Sequence, residues 1–380
     1  MLKKYFESPL NKEEADELVN GMINGSLSVQ GRSANCPFIE NKLIDFPLLE
    51  KILSISRQQN HWANFGPVSR ILEHYLCGAL NVQDDKEIIV CKSATDALFV
   101  ACNIKAIKKR KTIRWVVSAF GFFSTHIGPL AQSQVIDCNA KGLLSIEELA
   151  SLPADSWDGL IVTNVFGLFD DLSDYIGLCL KSGKEIVIDN ALGFYFSGRN
   201  EGAMADEVIS FHQTKPWGIG EGGCLVVNKE DADLARSLIN FGVGSDLDVR
   251  PYSCNSKLSD FHSALILQRL LNTYQWMPRY LEQTNRIISI TADLGLALLS
   301  DIPNDKMLGH VPVICPRSIS IKAAKEKIKH IQFGKYYKPL TEEMRQATAL
   351  FDHILNIPCH SGIDVLSDRQ IVESIRLIIE

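Results

Sequence analysis

Short runs of consecutive apolar residues, many of them β-branched, recur along the first 230 positions of the chain. EIIVC (87–91), RWVVSA (114–119), GLIVT (159–163), KEIVI (184–188), EVISF (207–211) and GCLVVN (223–228) are too short for helices and do not alternate as half-buried strands do. They predict strands buried on both faces. Stretches with helical character lie between them, such as TDALFVACNIKAIKK after the first run and DLSDYIGLCLKSG before KEIVI. Buried strands separated by helices predict an α/β fold with a mostly parallel central sheet covered on both sides. Past about residue 229 the pattern turns helical, through EDADLARSLINF and a long stretch from Leu258 to Leu299. A final α/β portion holds GHVPVICP, SIKAAKEKIKHI and SDRQIVESIRLII. The expected organisation is an N-terminal arm or docked helix over 1–50, a large domain over 50–250 and a smaller C-terminal domain over 251–380.

Composition narrows the function classes. Of the 380 residues 46% are hydrophobic and 22% charged, which excludes a disordered chain. The 39 Lys and Arg against 45 Asp and Glu leave a net charge of -6 and no basic stripe, so nucleic acid is not expected as a partner. Ten cysteines stand singly, several inside apolar runs, as small hydrophobes of a reduced core do. The N-terminus lacks the apolar stretch of a signal peptide, and the most apolar segment, Trp115 to Ala131, is too short to span a bilayer. A soluble cytoplasmic protein without a membrane partner is expected. The nine histidines form no HxxxH or HxH cluster, so no metal is expected.

Ligands of open α/β sheets bind beyond the carboxyl ends of the strands, and four features stand there in this chain. Ser93, Ala94 and Thr95 follow EIIVC and open a helix, whose free amides and positive dipole end suit a phosphate. The alternative is that Ser93 or Thr95 only caps that helix. Phe122, in AFGFF after RWVVSA, offers a flat ring for stacking on a cofactor, or simply joins the core. Asp189 ends KEIVI, where a carboxylate could keep a pyridine nitrogen protonated, or act as a cap. Lys215, in SFHQTKPWGIGEGG, could form an imine with an aldehyde cofactor; a solvated lysine before a proline is the alternative. Ser210 opens that segment and could cap the strand or donate to phosphate.

Together these segments resemble the DegT/DnrJ/EryC1/StrS family of pyridoxal-phosphate-dependent sugar aminotransferases. CKSATDALFVA is similar to the family's phosphate turn, VSAFGFFSTHIGPL to its aromatic motif, VIDN to its ring-acid motif and SFHQTKPWGIGEGG to its lysine motif. NFGPVSRILEHYLCGALNV and CNSKLSDFHSALI extend the likeness from about Asn64 toward the C-terminus. The resemblance implies the aspartate-aminotransferase-like fold, fold type I of the pyridoxal-phosphate enzymes, and a homodimer with active sites at the subunit interface. It implies pyridoxal 5'-phosphate as cofactor, and transfer of an amino group, usually from L-glutamate, to a nucleotide-linked keto sugar. Lys215 and Asp189 would be catalytic. Phe122 would cover the ring, and Ser93, Ala94, Thr95, Ser210 and the partner's copy of Asn255 would hold the phosphate.

Two positions depart from the family pattern. A Gln or His usually follows the ring acid by three residues, hydrogen-bonded to the cofactor's phenolic oxygen; here Leu192 stands there. In YYKPLTEEM (336–344) Thr341 replaces a usual histidine close to the sugar. Dehydration of a similar sugar is the alternative reaction, but family dehydratases replace the lysine that Lys215 supplies. A non-catalytic binding or regulatory protein of the same fold is the alternative outside enzymes.

Overall fold

The computed structural model describes residues 12–24, 36–196, 199, 205–246, 248–324 and 327–380. Residues 1–35 and 36–380 form two compact units. Of the first, the helix Lys12–Ile23 is described; the rest of the expected arm to residue 35 lies outside the described residues.

In the second unit the apolar runs become the strands of a seven-stranded sheet. These are β1 (Lys86–Cys91), β2 (Trp115–Ser118), β3 (Gln134–Ile136), β4 (Gly159–Thr163), β5 (Glu185–Asp189), β6 (Asp206–Ser210) and β7 (Gly223–Asn228), in the order β1-β7-β6-β5-β4-β2-β3. Neighbours from β6 through β5, β4 and β2 to β3 pair in parallel, while β7 runs antiparallel between β6 and β1.

Alternate side chains of each strand enter different layers, as the pleat requires. Ile88, Val116, Leu160, Val162, Ile186, Ile209 and Val226 join one layer with Leu72, Leu76, Ile176 and Ile266 of the neighbouring helices. Ile89, Val117, Ile161, Val187, Val208 and Leu225 join the other, with Leu98 and Ala101 of the helix Ala94–Lys109 and Ala235 and Leu238 of Lys229–Leu238. Both layers exclude water, so the strands read as unbroken apolar runs. Each fully buried aliphatic chain contributes roughly 1.5–3 kcal/mol over an exposed one.

The C-terminal portion carries a separate antiparallel sheet, β8 (Ala297–Leu298), β9 (His310–Ile314) and β10 (Ile354–Pro358), with β9 central. The helix Asp260–Leu271, though beyond residue 250, packs into the first layer of the large sheet. SIKAAKEKIKHI begins with a short helix. The described helix covers only Ile321–Ala324 and residues 327–330 are non-helical, because Cys36 exchanges backbone hydrogen bonds with His330 and Gln332 (2.8 and 2.9 Å) and draws that stretch straight.

Candidate active site

Because β7 reverses direction, the carboxyl ends of β1, β2, β4, β5 and β6 and the amino end of β7 share one edge of the sheet. Cys91 and Ser210 both stand opposite Gly223 in register, and Thr163 stands opposite Asp189. The edge therefore gathers the segments carrying Ser93, Phe122, Asp189, Ser210 and Lys215.

The Ser93–Thr95 turn opens the 16-residue helix Ala94–Lys109. The Ser93 hydroxyl accepts from the Asp96 amide (3.1 Å) and donates to its carboxylate (2.6 Å), so Ser93 caps the helix, the plainer of its two expected roles. The first amides, those of Ala94 and Thr95, precede any carbonyl of the helix that could accept from them and point toward its positive end. Gly223 presses on this turn: a Cβ there would lie 2.3 Å from the Ala94 nitrogen. Ser210, beside Gly223, accepts from the His212 amide through its hydroxyl (3.2 Å).

Phe122 follows β2 on a loop that crosses the end of β4, where a Cβ on Gly121 would sit 3.3 Å from the Thr163 hydroxyl. Its ring is 47% exposed, so it is not a core residue. Phe120, fully buried edge-on against Phe166 and Tyr337, takes that part.

Asp189 is buried at the end of β5 and accepts one backbone bond, from Ala191 (3.3 Å). Desolvation pushes its carboxyl up to about 6, against the opposing pull of that bond and of the Lys215 charge. Lys215 keeps part of its surface accessible. Burial brings its amine down to about 8, and the Asp189 charge resists that shift. Each group feels the other's charge.

Lys215 belongs to the β6–β7 connection, a turn closed by Phe211 and Gly222, by Gln213 and Gly220, and by the Trp217 indole donating to the Ser210 carbonyl (2.8 Å). Gly218 has to be glycine, since a Cβ would lie 2.3 Å from the Phe211 carbonyl. Behind this turn stand two cations that the sequence did not point to. Lys42 donates to the carbonyls of Gln213 (2.7 Å), Lys215 and Gly218, and Arg269 donates twice to that of Pro216 (3.0 and 2.8 Å). No local pattern marks either one.

His310 was not expected at the site either, whereas Tyr337 belongs to YYKPLTEEM, the segment expected close to the sugar. Burial and the Lys215 charge bring His310 down to about 3, so it stays neutral. Tyr337 stacks on Phe166 (4.8 Å, 6°), and burial together with the Asp189 charge raises its phenol.

Of the departures, Leu192 lies near Gly309, with its Cδ2 3.7 Å from where a Cβ there would be. The segment before Thr341 reaches the end of β2 through the Leu340 amide, which donates to the Ala119 carbonyl (2.9 Å). Asn255 is exposed, its amide oxygen accepts from Lys257 (2.6 Å), and it forms no hydrogen bond with Ser93 or Ser210 of its own chain. All ten cysteines are unpaired. Among the described residues no His, Cys, Asp and Glu cluster could hold a metal, and no helix is long and apolar enough to cross a membrane.

The model of the DegT/DnrJ/EryC1/StrS aminotransferase family matches residues 50–376. The chain belongs to that family. Protein Rv3402c of Mycobacterium tuberculosis is 28% identical over 241 residues, which are 59% of this chain and 57% of that protein. The chain thus spans under three fifths of that relative's length. The UDP-4-amino-4,6-dideoxy-N-acetyl-beta-L-altrosamine transaminase of Campylobacter jejuni is 24% identical over 81% of this chain and 89% of its own. Among solved structures, a putative PLP-dependent aminotransferase from Bacillus cereus superposes with a TM-score of 0.77 at 18% identity, covering 90% of this chain and 99% of its own. That likeness shows a shared fold.

Proposed function

We propose that this family member is a pyridoxal 5'-phosphate-dependent aminotransferase that moves an amino group from L-glutamate to a keto carbon of a nucleotide-linked sugar. The observation that carries the reading is the Asp189–Lys215 pair: a buried acid closing β5 and a partly accessible amine just past the end of β6, at the same end of the sheet and each feeling the other's charge. Burial pushes the Asp189 carboxyl up to about 6 even against the pull of the Lys215 charge, and a protonated pyridine nitrogen would give that carboxylate a further cationic partner. A glycine at 223 leaves the Ala94 amide approachable, and a half-exposed Phe122 leaves a ring face open. The residues fit the cofactor.

When bound, the cofactor supplies an aldehyde carbon and a ring that withdraws electrons from the reacting carbon. Lys215, neutral in a larger fraction than an ordinary lysine, would be the amine that holds the cofactor's aldehyde carbon and, once free, the base that moves a proton at the reacting carbon. Asp189 would keep the pyridine nitrogen protonated. The amides of Ala94 and Thr95, with the Ser210 hydroxyl, would hold the phosphate, and Phe122 would offer its exposed ring to the cofactor. In a homodimer, the partner's copy of Asn255 completes the phosphate site. The Campylobacter transaminase, which aligns over most of its length, supports a nucleotide sugar as substrate.

The test is direct. The purified protein mixed with pyridoxal 5'-phosphate should turn yellow, and borohydride should fix the cofactor to Lys215 in the peptide map. Mixing the pyridoxamine form with a panel of nucleotide keto-sugars should restore the yellow colour with at least one. A protein that takes up no cofactor, or a label on another lysine, would sink the reading.

A further inference from the structure

Lys42 stands outside the family-matched residues, yet its ammonium reaches the backbone of the turn that presents Lys215. Glu40, the acid whose charge it feels, is taken by Arg269 (2.6 Å) and by the Tyr280 hydroxyl (3.1 Å). The positive charge is spent on three carbonyls, those of Gln213, Lys215 and Gly218, while Arg269 takes the Pro216 carbonyl between them.

The turn does not need these cations to close. Bonds between Phe211 and Gly222, Gln213 and Gly220, His212 and Lys215, and Lys215 and Gly218 already do so. What the cations add is anchorage. Four carbonyls of one short turn accept from two cations, so the backbone on both sides of Lys215 is tied down. Only an amine carrying its protons can serve three acceptors at once, and a compact ammonium converges on them where a planar guanidinium cannot. Burial, Arg269 and Lys215 bring the Lys42 amine down to about 7, and the Glu40 charge works against that loss.

We propose that Lys42 is a positioning residue for Lys215: by gathering the carbonyls of Gln213, Lys215 and Gly218 it fixes the path by which the Lys215 amine enters the site and sets a positive charge behind that amine. The inference rests on the reading of Lys215 as the amine that condenses with pyridoxal 5'-phosphate.

The experiment compares the full-length protein with Lys42→Met, which keeps the stem and removes the charge, and Lys42→Gln, which keeps two N–H donors. Each is titrated with pyridoxal 5'-phosphate by visible absorbance, and the rate of borohydride-trapped attachment at Lys215 is followed against pH. Lys42→Met should bind the cofactor about tenfold more weakly, the equivalent of one lost charge-assisted hydrogen bond. The pH midpoint for attachment should move upward, because a cation behind Lys215 is gone; a merely structural loss would leave that midpoint in place. Lys42→Gln should fall between. If Lys42→Met does not fold, Lys42→Gln decides by the same two readouts. Binding within about twofold of the wild type with an unchanged midpoint would overturn the proposal. A wild-type protein that takes up no cofactor would instead sink the function it rests on.

Discussion

Gly223 and Ala94 meet backbone to backbone: any side chain at 223 would drive its Cβ to within 2.3 Å of the Ala94 nitrogen. The amino end of β7 and the phosphate turn are thus packed without a spare methyl between them. Gly223→Ala should push the turn away from Ser210 and cost about 1–3 kcal/mol of stability, as overpacking does. Cofactor affinity should fall about tenfold or more, measured by absorbance titration beside thermal unfolding. Unchanged affinity would separate this turn from phosphate binding.

Asp189→Asn keeps the shape of the β5 end and removes the charge. The half-reaction with an amino donor should slow on the order of 10²–10³, the range seen when one preorganised electrostatic group is removed, while cofactor attachment to Lys215 persists. Stopped-flow absorbance would report both. A near-normal half-reaction would take Asp189 out of its role.

The pH behaviour of the cofactor-free protein is set by two opposed shifts. Asp189 sits above its ordinary value of 3.8, at about 6, so its contribution to stability is present below pH 3.8 and lost as pH rises through 6. Lys215 sits below 10.5, at about 8, so the folded state favours the neutral amine, and that contribution, full above pH 10.5, is lost as pH falls through 8. Attachment of pyridoxal 5'-phosphate should accelerate with pH and level off above about 8. A midpoint near 10.5 would show that Lys215 is solvated.

Phe120 and Phe122 are two residues apart and predict opposite outcomes. Phe120→Ala should cost about 3–5 kcal/mol in unfolding experiments, because its ring is fully buried among other rings. Phe122→Ala, at an exposed position, should leave stability within about 0.5 kcal/mol and weaken cofactor binding by about two- to tenfold, the worth of one ring contact. Equal binding by the Phe122 variant would assign the ring cover to another side chain.

Much of this arrangement was legible in the chain because burial on both faces writes itself as unbroken apolar letters. GLIVT and GCLVVN became β4 and β7 with the expected bounds. The shared position of Asp189 and Lys215 was legible because parallel buried strands deliver the residues at their carboxyl ends to one end of the sheet. β3 escaped notice because it has three residues and an exposed Gln134. β10 escaped because Asn356 interrupts ILNIP, where its buried amide oxygen accepts from the Tyr336 amide (2.7 Å). Lys42 and Arg269 could not be found locally: their partners in the Lys215 turn lie 53 to 176 residues away, and only the folded chain brings them together. Leu192 was legible as a departure, but its place beside Gly309, at the approach to the smaller sheet, was not.

The hairpin formed by β6 and β7 joins the Lys215 turn to the strand that presses on the phosphate turn, with Ser210 and Gly223 facing each other across its mouth. A cofactor seated here would be gripped head and tail by one stiff loop of chain, at a span set by strand spacing of about 4.8 Å rather than by any flexible segment. The segment Tyr337 through Thr341 comes to the same end of the sheet from the C-terminal portion, tied there by the Leu340 amide on the Ala119 carbonyl, so what closes over the hairpin belongs to a distant part of the chain.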